Sequence, residues 1–249
     1  MIFSIFRKES FISLAIFISA LAVSSFIIVH GGSNAFAQQS SGLVSRWNGD
    51  AASGTTAKDI SGGNNGTLAG GVSVVSGQSG KAFQFDGSSG RISMGNPGNL
   101  NFGTGPFSLE ARFMWDGGGP NVNNIIRKSN YGPGIGSGYW MRIAKYNKTI
   151  EFSVGATVQS EGQTLITSPI TSGVWHQVIA TRDSSDTVKL YVDGQSTGAV
   201  VRQASQAQST SGSAFALGFW PDQNSEFFSG LIQEAAVYNR ALDAGEVKA

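Results

Sequence analysis

The chain has 249 residues and no cysteine, only six prolines and two histidines, and charged side chains make up just 13% of it. Without cysteine there are no disulfides and no thiolate metal ligands, so a folded domain has to be held by its apolar core. One histidine, His30, lies near the N-terminus, which leaves His176 alone in the rest of the chain. A zinc site or a hydrolytic triad has little to build on with one imidazole and no thiol; His176 reads as a strand residue with a satisfied ring. An excess of one charge is missing as well. Beyond residue 37 there are fifteen acids (sixteen less Glu9) and fifteen basic residues (seventeen less Arg7 and Lys8). That balance excludes the electrostatic footprint of nucleic-acid binding. Helical periodicity is absent until the last few residues after Asn239.

What is present starts with an export pattern. Met1 to Ser10 carries Arg7 and Lys8, Phe11 to Val29 is an uncharged, mainly apolar run, and Ala35-Phe36-Ala37 has the small-x-small form of a signal-peptidase site. This predicts an N-terminal signal helix removed after Ala37, leaving 249 − 37 = 212 residues from Gln38. The alternative is an uncleaved membrane anchor over Phe11–Val29. Either way the rest of the chain is expected to be secreted, extracellular or at the cell surface. After a lead-in over 38–42, residues 43–249 are the length of one all-β domain.

Glycine, at 34 residues, has about twice its usual share and no collagen period, the mark of many turns between many strands. From Gly173 to Gly194 the chain reads as a β-meander. Trp175 to Arg182 is a strand, Asp183-Ser184-Ser185-Asp186 a turn, and Val188, Leu190 and Val192 alternate with Lys189 and Tyr191 up to the tight turn Asp193-Gly194. Trp175 is assigned to the core. In Phe107 to Trp115, Phe107, Leu109, Ala111, Phe113 and Trp115 share one face, and Ser108, Glu110, Arg112 and Met114 the other. Further strands are expected at Leu43–Trp47, Lys81–Asp86, Arg91–Met94, Ile125–Lys128, Tyr139–Ala144, Thr149–Val154, Gln195–Val201, Ala214–Gly218 and Phe228–Tyr238. So many short strands predict an all-β, two-sheet antiparallel sandwich or jelly roll. Arg202 to Ser213 is expected to be a polar loop. Asp59 to Gly66 sets oxygen-bearing side chains among glycines, which suits either an Asx-type turn or a wrapped hard cation.

Several stretches in order resemble the LamG-like jelly-roll domains of the concanavalin A-like lectin/glucanase superfamily. They are Ala57 to Leu68, Gly80 to Gly87, Phe107 to Phe113, Trp175-His176-Gln177-Val178 with Leu190 to Gly194, and Phe228 to Glu234 with Tyr238 to Leu242. The resemblance spans Leu43 to about Val247. It implies the concanavalin A-like sandwich and a structural calcium, for which this chain offers Asp59, Asn64 and Glu234 as metal ligands. Two positions depart from the pattern: Gln233 stands where an acid is usual, and Gln177 where a second histidine often follows Trp-His.

The superfamily's glycosidases hold paired carboxylates on one strand, and no Glu-x-Asp-x-Glu spacing occurs here. Glu110 and Glu151, expected on neighbouring strands, are the residues of the alternative reading as a glycan hydrolase or lyase. The favoured reading is an exported, non-catalytic, carbohydrate-binding (lectin-like) module. Tyr131, Tyr139, Trp140 and Trp220 supply rings in or beside glycine-rich loops, with Asp222, Gln223 and Asn224 following directly. Arg112 and Arg142, with Glu110, Glu151 and Gln177, make a further outward surface. A third reading is an adhesive ectodomain that binds protein. The expected partner is therefore a glycan or another extracellular ligand, with the membrane involved only through an uncleaved N-terminus. Asn65-Gly66-Thr67 and Asn147-Lys148-Thr149 are glycosylation sequons. Intact-mass measurement of the exported protein should give a chain beginning at Gln38; a mass that includes Met1 would establish the anchor instead.

Overall fold

The computed structural model describes residues 41–130, 137–155, 165–201 and 209–248. The expected signal or anchor helix, Tyr131, and residues 202–208 of the polar stretch lie outside the described residues. The strands, in chain order, begin with β1 (Leu43–Asn48), β2 (Thr56–Ala57), β3 (Gly66–Ala69), β4 (Val72–Ser76), β5 (Lys81–Asp86) and β6 (Arg91–Ser93). Then come β7 (Phe107–Trp115), β8 (Val122–Asn130), β9 (Ser137–Ala144), β10 (Thr149–Val154) and β11 (Leu165–Ile166). The meander supplies β12 (Trp175–Arg182), β13 (Thr187–Val192) and β14 (Gln195–Val201), and the last are β15 (Ala216–Leu217) and β16 (Ser229–Tyr238).

They form two sheets. Sheet I has the order β14-β13-β12-β7-β16-β5-β4, with β1 also paired to β16; sheet II has the order β11-β10-β9-β8-β15-β6-β3-β2. Every described pairing is antiparallel. β16 accommodates two neighbours on one edge because β5 pairs with Ser229–Ile232 while β1 pairs with the half from Glu234 to Tyr238.

The two-residue period of β7 orients the core. Phe107, Leu109, Ala111, Phe113 and Trp115 are all between 0 and 1% exposed and share one cluster with Trp47, Phe83 and Phe152. The facing sheet contributes Tyr139, whose ring lies 5.0 Å from that of Phe107, and Phe228 meets Phe113 edge-on at 6.1 Å. Such ring contacts add to the area buried. In the meander, Asp183 Oδ1 accepts from the backbone of Ser185 and Thr187. Asp193 and Gly194 both take positive φ, 50° and 75°, the twist a two-residue hairpin requires.

The other face of β7 is not simply solvent-facing. Ser108 and Glu110 are buried: the chain after Tyr238 folds back onto Ser108, whose hydroxyl donates to the Arg240 carbonyl and accepts from the Leu242 N–H, and Glu110 accepts from Tyr238 and Gln177. Leu242 and Val247 pack there with Ile179, Tyr191, Ala236 and Tyr238 in a second, smaller core. Arg240 clamps this tail, donating to Glu246 and, through Nε, to the carbonyl of Ser41. Trp175 also differs from its core assignment. It is the partner of Met114, not of an inward residue, and is partly exposed on the outer face of sheet I.

Several short strands were not expected. β2 and β11 hold two residues each, too few for alternation to show, and in β4 (Val-Ser-Val-Val-Ser) the alternation breaks at Val75. β8 is longer than expected and carries a register shift between Asn124 and Ile126, so Ile125 and Ile126 are both fully buried. Phe113→Ala, at the middle of β7, should cost about 3–5 kcal/mol in urea unfolding, since it opens a cavity that both sheets line.

Candidate functional site

The outward face of sheet II gathers several of the residues singled out in the sequence. Met141 and Ile143 of β9 point into the core, so alternation turns Trp140 and Arg142 outward. Across the strands, Ala216, Arg127, Trp140 and Ser153 are successive Cα partners, and Asn124, Arg142, Glu151 and Ile166 form the next row. β9 can run this close to β8 because residue 138 is glycine. Its φ is +99°, and a Cβ there would stand 1.9 Å from the Lys128 carbonyl oxygen.

Two tryptophan–arginine stacks lie on this face. The Arg142 guanidinium carbon is 4.0 Å from the Trp140 ring centroid, and Arg142 Nε donates to Glu151 Oε2 at 2.8 Å. The Arg127 guanidinium carbon is 3.8 Å from the Trp220 centroid, and Arg127 Nη1 meets Glu226 Oε2 at 3.1 Å. Asn124 Nδ2 donates to that same oxygen at 2.8 Å. Each of these two arginines is thus matched by one glutamate.

The loop bearing Trp220 is a tight turn. The backbones of Trp220 and Ser225 pair across it, and Asn224 and Glu226 hold φ of 45° and 54°. Left-handed backbone at a glutamate is costly, and here it aims the side chain at Arg127. Asp222, Gln223 and Asn224 are exposed at the tip. Asp222 Oδ2 accepts from Ser213 Oγ at 2.6 Å, next to the fully buried amine of Lys128. That amine donates to Asn96 Oδ1 and to the carbonyls of Ser211 and Ser213; burial brings its pKa down to about 8 against the opposing charge of Asp222.

The family model of the Concanavalin A-like lectin/glucanases superfamily, in its Laminin_G_3 form, matches residues 85–248, more than half of the chain. The chain belongs to this superfamily. Among curated proteins no match is found. Solved structures with the same fold include Trypanosoma rangeli sialidase in complex with sialic acid, at 18% identity and TM-score 0.63, covering 83% of this chain. This chain spans only about a third, 32%, of that sialidase. Domain 4 of AbnA, a GH43 extracellular arabinanase from Geobacillus stearothermophilus, in complex with arabinotriose, matches at 18% identity and TM-score 0.60, covering 83% of this chain and 96% of that one. The binding domain of Paraclostridial Mosquitocidal Protein 1 matches at 18% identity and TM-score 0.61, covering 83% and 51%. At such identity these likenesses show the shared fold.

Within this lectin/glucanase sandwich the sequence-derived candidates separate. Trp140, Arg142, Trp220, Asp222 and Asn224 lie on or beside the sheet II face. Arg112 is on the outer face of sheet I, on the far side of the molecule. Tyr139 is not a ligand-facing ring: it is 0% exposed and donates its hydroxyl to the Leu100 carbonyl at 2.9 Å. Arg127, Asn124 and Glu226 were missed. Strict alternation sets Asn124 and Arg127, three residues apart, on opposite faces, and only the register shift in β8 brings them to the same side; Glu226 lies in a loop where no period applies.

The carboxylate pair is overturned. Glu110 is on β7 of sheet I and Glu151 on β10 of sheet II, each on the outward side, with the core between them. Sheets stack about 10 Å apart before any outward side chain is added. Two glutamates so placed cannot flank one glycosidic bond. Glu110 instead accepts from Tyr238 Oη and Gln177 Nε2. His176 is satisfied on both ring nitrogens, at 2.8 Å to Asp193 Oδ2 and 3.2 Å to the Thr171 carbonyl.

The residues offered for calcium do not fit it. Asp59 Oδ1 accepts from the backbone N–H groups of Arg46, Ser61 and Gly62, and Oδ2 from that of Asn64, so amide hydrogens stand where a cation would have to be. Asn64 directs its amide to Ser45 Oγ and its carbonyl to Trp47 Nε1, and Glu234 pairs with Arg46 at 3.2 Å. Among the described residues no three His, Cys, Asp or Glu side chains gather as a metal site. Burial pushes the Asp59 carboxyl up, but the four N–H donors outweigh it and hold its pKa below the usual value. Asp59 therefore stabilises the fold above the unfolded pKa of about 3.9, and that contribution is lost as pH falls through the lower folded value. Asp59→Asn should cost about 2–3 kcal/mol at neutral pH and flatten the acid limb of the stability profile. Calcium and chelator should leave the melting temperature of the wild type unchanged; a rise with calcium would reinstate the metal.

Proposed function

We propose that this domain is an exported, non-catalytic glycan-binding module whose ligand lies across the outer face of sheet II. The observation that carries this reading is the pair of tryptophans on one face, each backed by an arginine that is itself ion-paired. An indole offers a flat apolar surface to the C–H face of a sugar ring. Stacking and pairing remove the rotamer freedom of the arginines in advance, so little further ordering opposes binding. Asp222, Gln223 and Asn224, exposed beside Trp220, supply the acceptors and donors that hydroxyl groups need. The matched charges suit a neutral glycan.

The likeness to a domain seen with arabinotriose supports a sugar as ligand, as does the likeness to a toxin's binding domain for a binding role. Export rests on the N-terminal pattern, and a glycan outside the cell is a fitting partner for it. On a panel of neutral polysaccharides and oligosaccharides, calorimetry should find binding that Trp140→Ala and Trp220→Ala each weaken by about tenfold, the loss of one ring contact. Folded wild-type protein that binds no neutral glycan on the panel would defeat the proposal. Binding to a protein whose glycans have been removed would favour the adhesive reading instead.

A further inference from the structure

On the opposite side of the molecule the outer face of sheet I holds an open cleft of about 260 Å³, lined by Gln78, Arg112, Trp175, His176, Gln177 and Asp193. Gln177 and Arg112 are cross-strand partners on β12 and β7, and Trp175 lies one outward position along, opposite Met114. Gln78 comes from the turn after β4. Its position is set by Gln233, whose Oε1 accepts from the backbone of Gln78 and Ser79 while Nε2 donates to Ser79 Oγ. Gln78 Oε1 in turn accepts from both Nε and Nη2 of Arg112. The glutamine that replaces the family's usual acid thus builds one wall of the cleft without adding a negative charge to it.

The acids around the cleft all have hydrogen-bond or ion-pair partners within the domain, and Asp193, half exposed, leaves one carboxylate at the edge of the lining. Glu110 accepts from Gln177 Nε2 and Tyr238 Oη. Glu234, directly across the ladder from Arg112, turns away to Arg46 at 3.2 Å. Asp193 takes the His176 ring on Oδ2 and the Gln177 N–H on Oδ1. Among the described residues Arg112 stands in no ion pair within 4 Å; its hydrogen-bond partner is the neutral amide of Gln78, Glu234 feels its charge only at longer range, and the residue is exposed. Gln78 occupies the Nε–Nη2 side of the guanidinium, which leaves Nη1 and the second Nη2 hydrogen as the edge that fits a carboxylate. Trp175 beside it offers an apolar wall, and the free ends of Gln78 and Gln177 offer an amide donor and an amide acceptor for hydroxyls.

We propose that this cleft is a second binding site, separate from the tryptophan platform, that takes a carboxylate-bearing sugar, a uronic acid residue. The volume lies under the roughly 300–1,000 Å³ of pockets for drug-sized ligands, which restricts the site to about one sugar ring. The site stands on its own residues and does not depend on the platform binding anything. With the two sites on opposite faces, one module can hold two glycan segments at once.

The test uses calorimetry and ligand-observed NMR with galacturonic acid and digalacturonate, against galactose and galactobiose as their neutral counterparts. Digalacturonate should bind the wild type and Trp140→Ala alike, weaken with added salt, and lose about tenfold or more in affinity in Arg112→Gln. Arg112→Lys should recover part of it, and Trp175→Ala should lower it independently. The neutral sugars should not respond to Arg112→Gln. The proposal is overturned if wild-type protein binds no uronate at millimolar concentration, if uronate binding is indifferent to Arg112→Gln, or if Arg112 serves an acidic peptide in preference to the sugar. Uronate binding without any neutral-glycan binding would sink the platform alone, and the reverse would sink the cleft alone.

Discussion

The antiparallel ladder of β7 between β12 and β16 is the constraint on which the rest of the molecule depends. Once Phe107, Leu109, Ala111, Phe113 and Trp115 are committed to the interior, the two-residue period leaves no freedom for their neighbours. Ser108, Glu110, Arg112 and Met114 must lie on the outer side, and their partners Thr181, Ile179, Gln177 and Trp175 must lie there with them. A slip of one residue would turn Arg112 and Glu110 into the core, Arg112 where Phe113 now meets Phe228. The cost of burying unpaired charge makes that register inaccessible.

The two outer faces that result are chemically different because of what folds over each. On sheet I the returning tail packs Leu242 and Val247 against Ile179, Tyr191, Ala236 and Tyr238, Tyr238 Oη and Gln177 hold Glu110, and Arg112 and Trp175 are left lining the cleft. Half of the face is a second core and half is an open polar cleft. On sheet II the Trp220 turn lies against Arg127, and ion pairs to Glu226 and Glu151 match the arginines one for one. Glycine at 138 lets the strands carrying these side chains approach, and left-handed backbone at Glu226 turns its carboxylate toward Arg127. Preorganisation of this kind lowers the ordering cost of binding at this surface.

Much of the fold was legible along the chain. β5, β7, β10, β12 and β14 have the limits that alternation and turn chemistry predict, and the Asp183 and Asp193-Gly194 turns behave as their residues require. Failures came where local pattern carries little information: two-residue strands, the broken alternation of β4, and the shifted register of β8. Trp175 is the instructive case. With Val178 and Ile179 apolar on opposite sides, periodicity could not choose a face, and its pairing with Met114 decided it.

The sequence by itself determined which residues of each strand face inward: apolar residues at every second position bury one face of a sheet, and glycine, Asp and Asn at the turns set where each strand ends. It also placed Trp140 and Arg142 on one side of one strand, since i and i+2 share a face. Which strands become neighbours was decided only by tertiary structure. Sheet membership separated Glu110 from Glu151 by the whole core, joined Arg127 to Trp220 across about ninety residues of chain, and set Gln78 against Arg112. These are contacts between segments far apart in sequence, and no local preference of either segment encodes its partner.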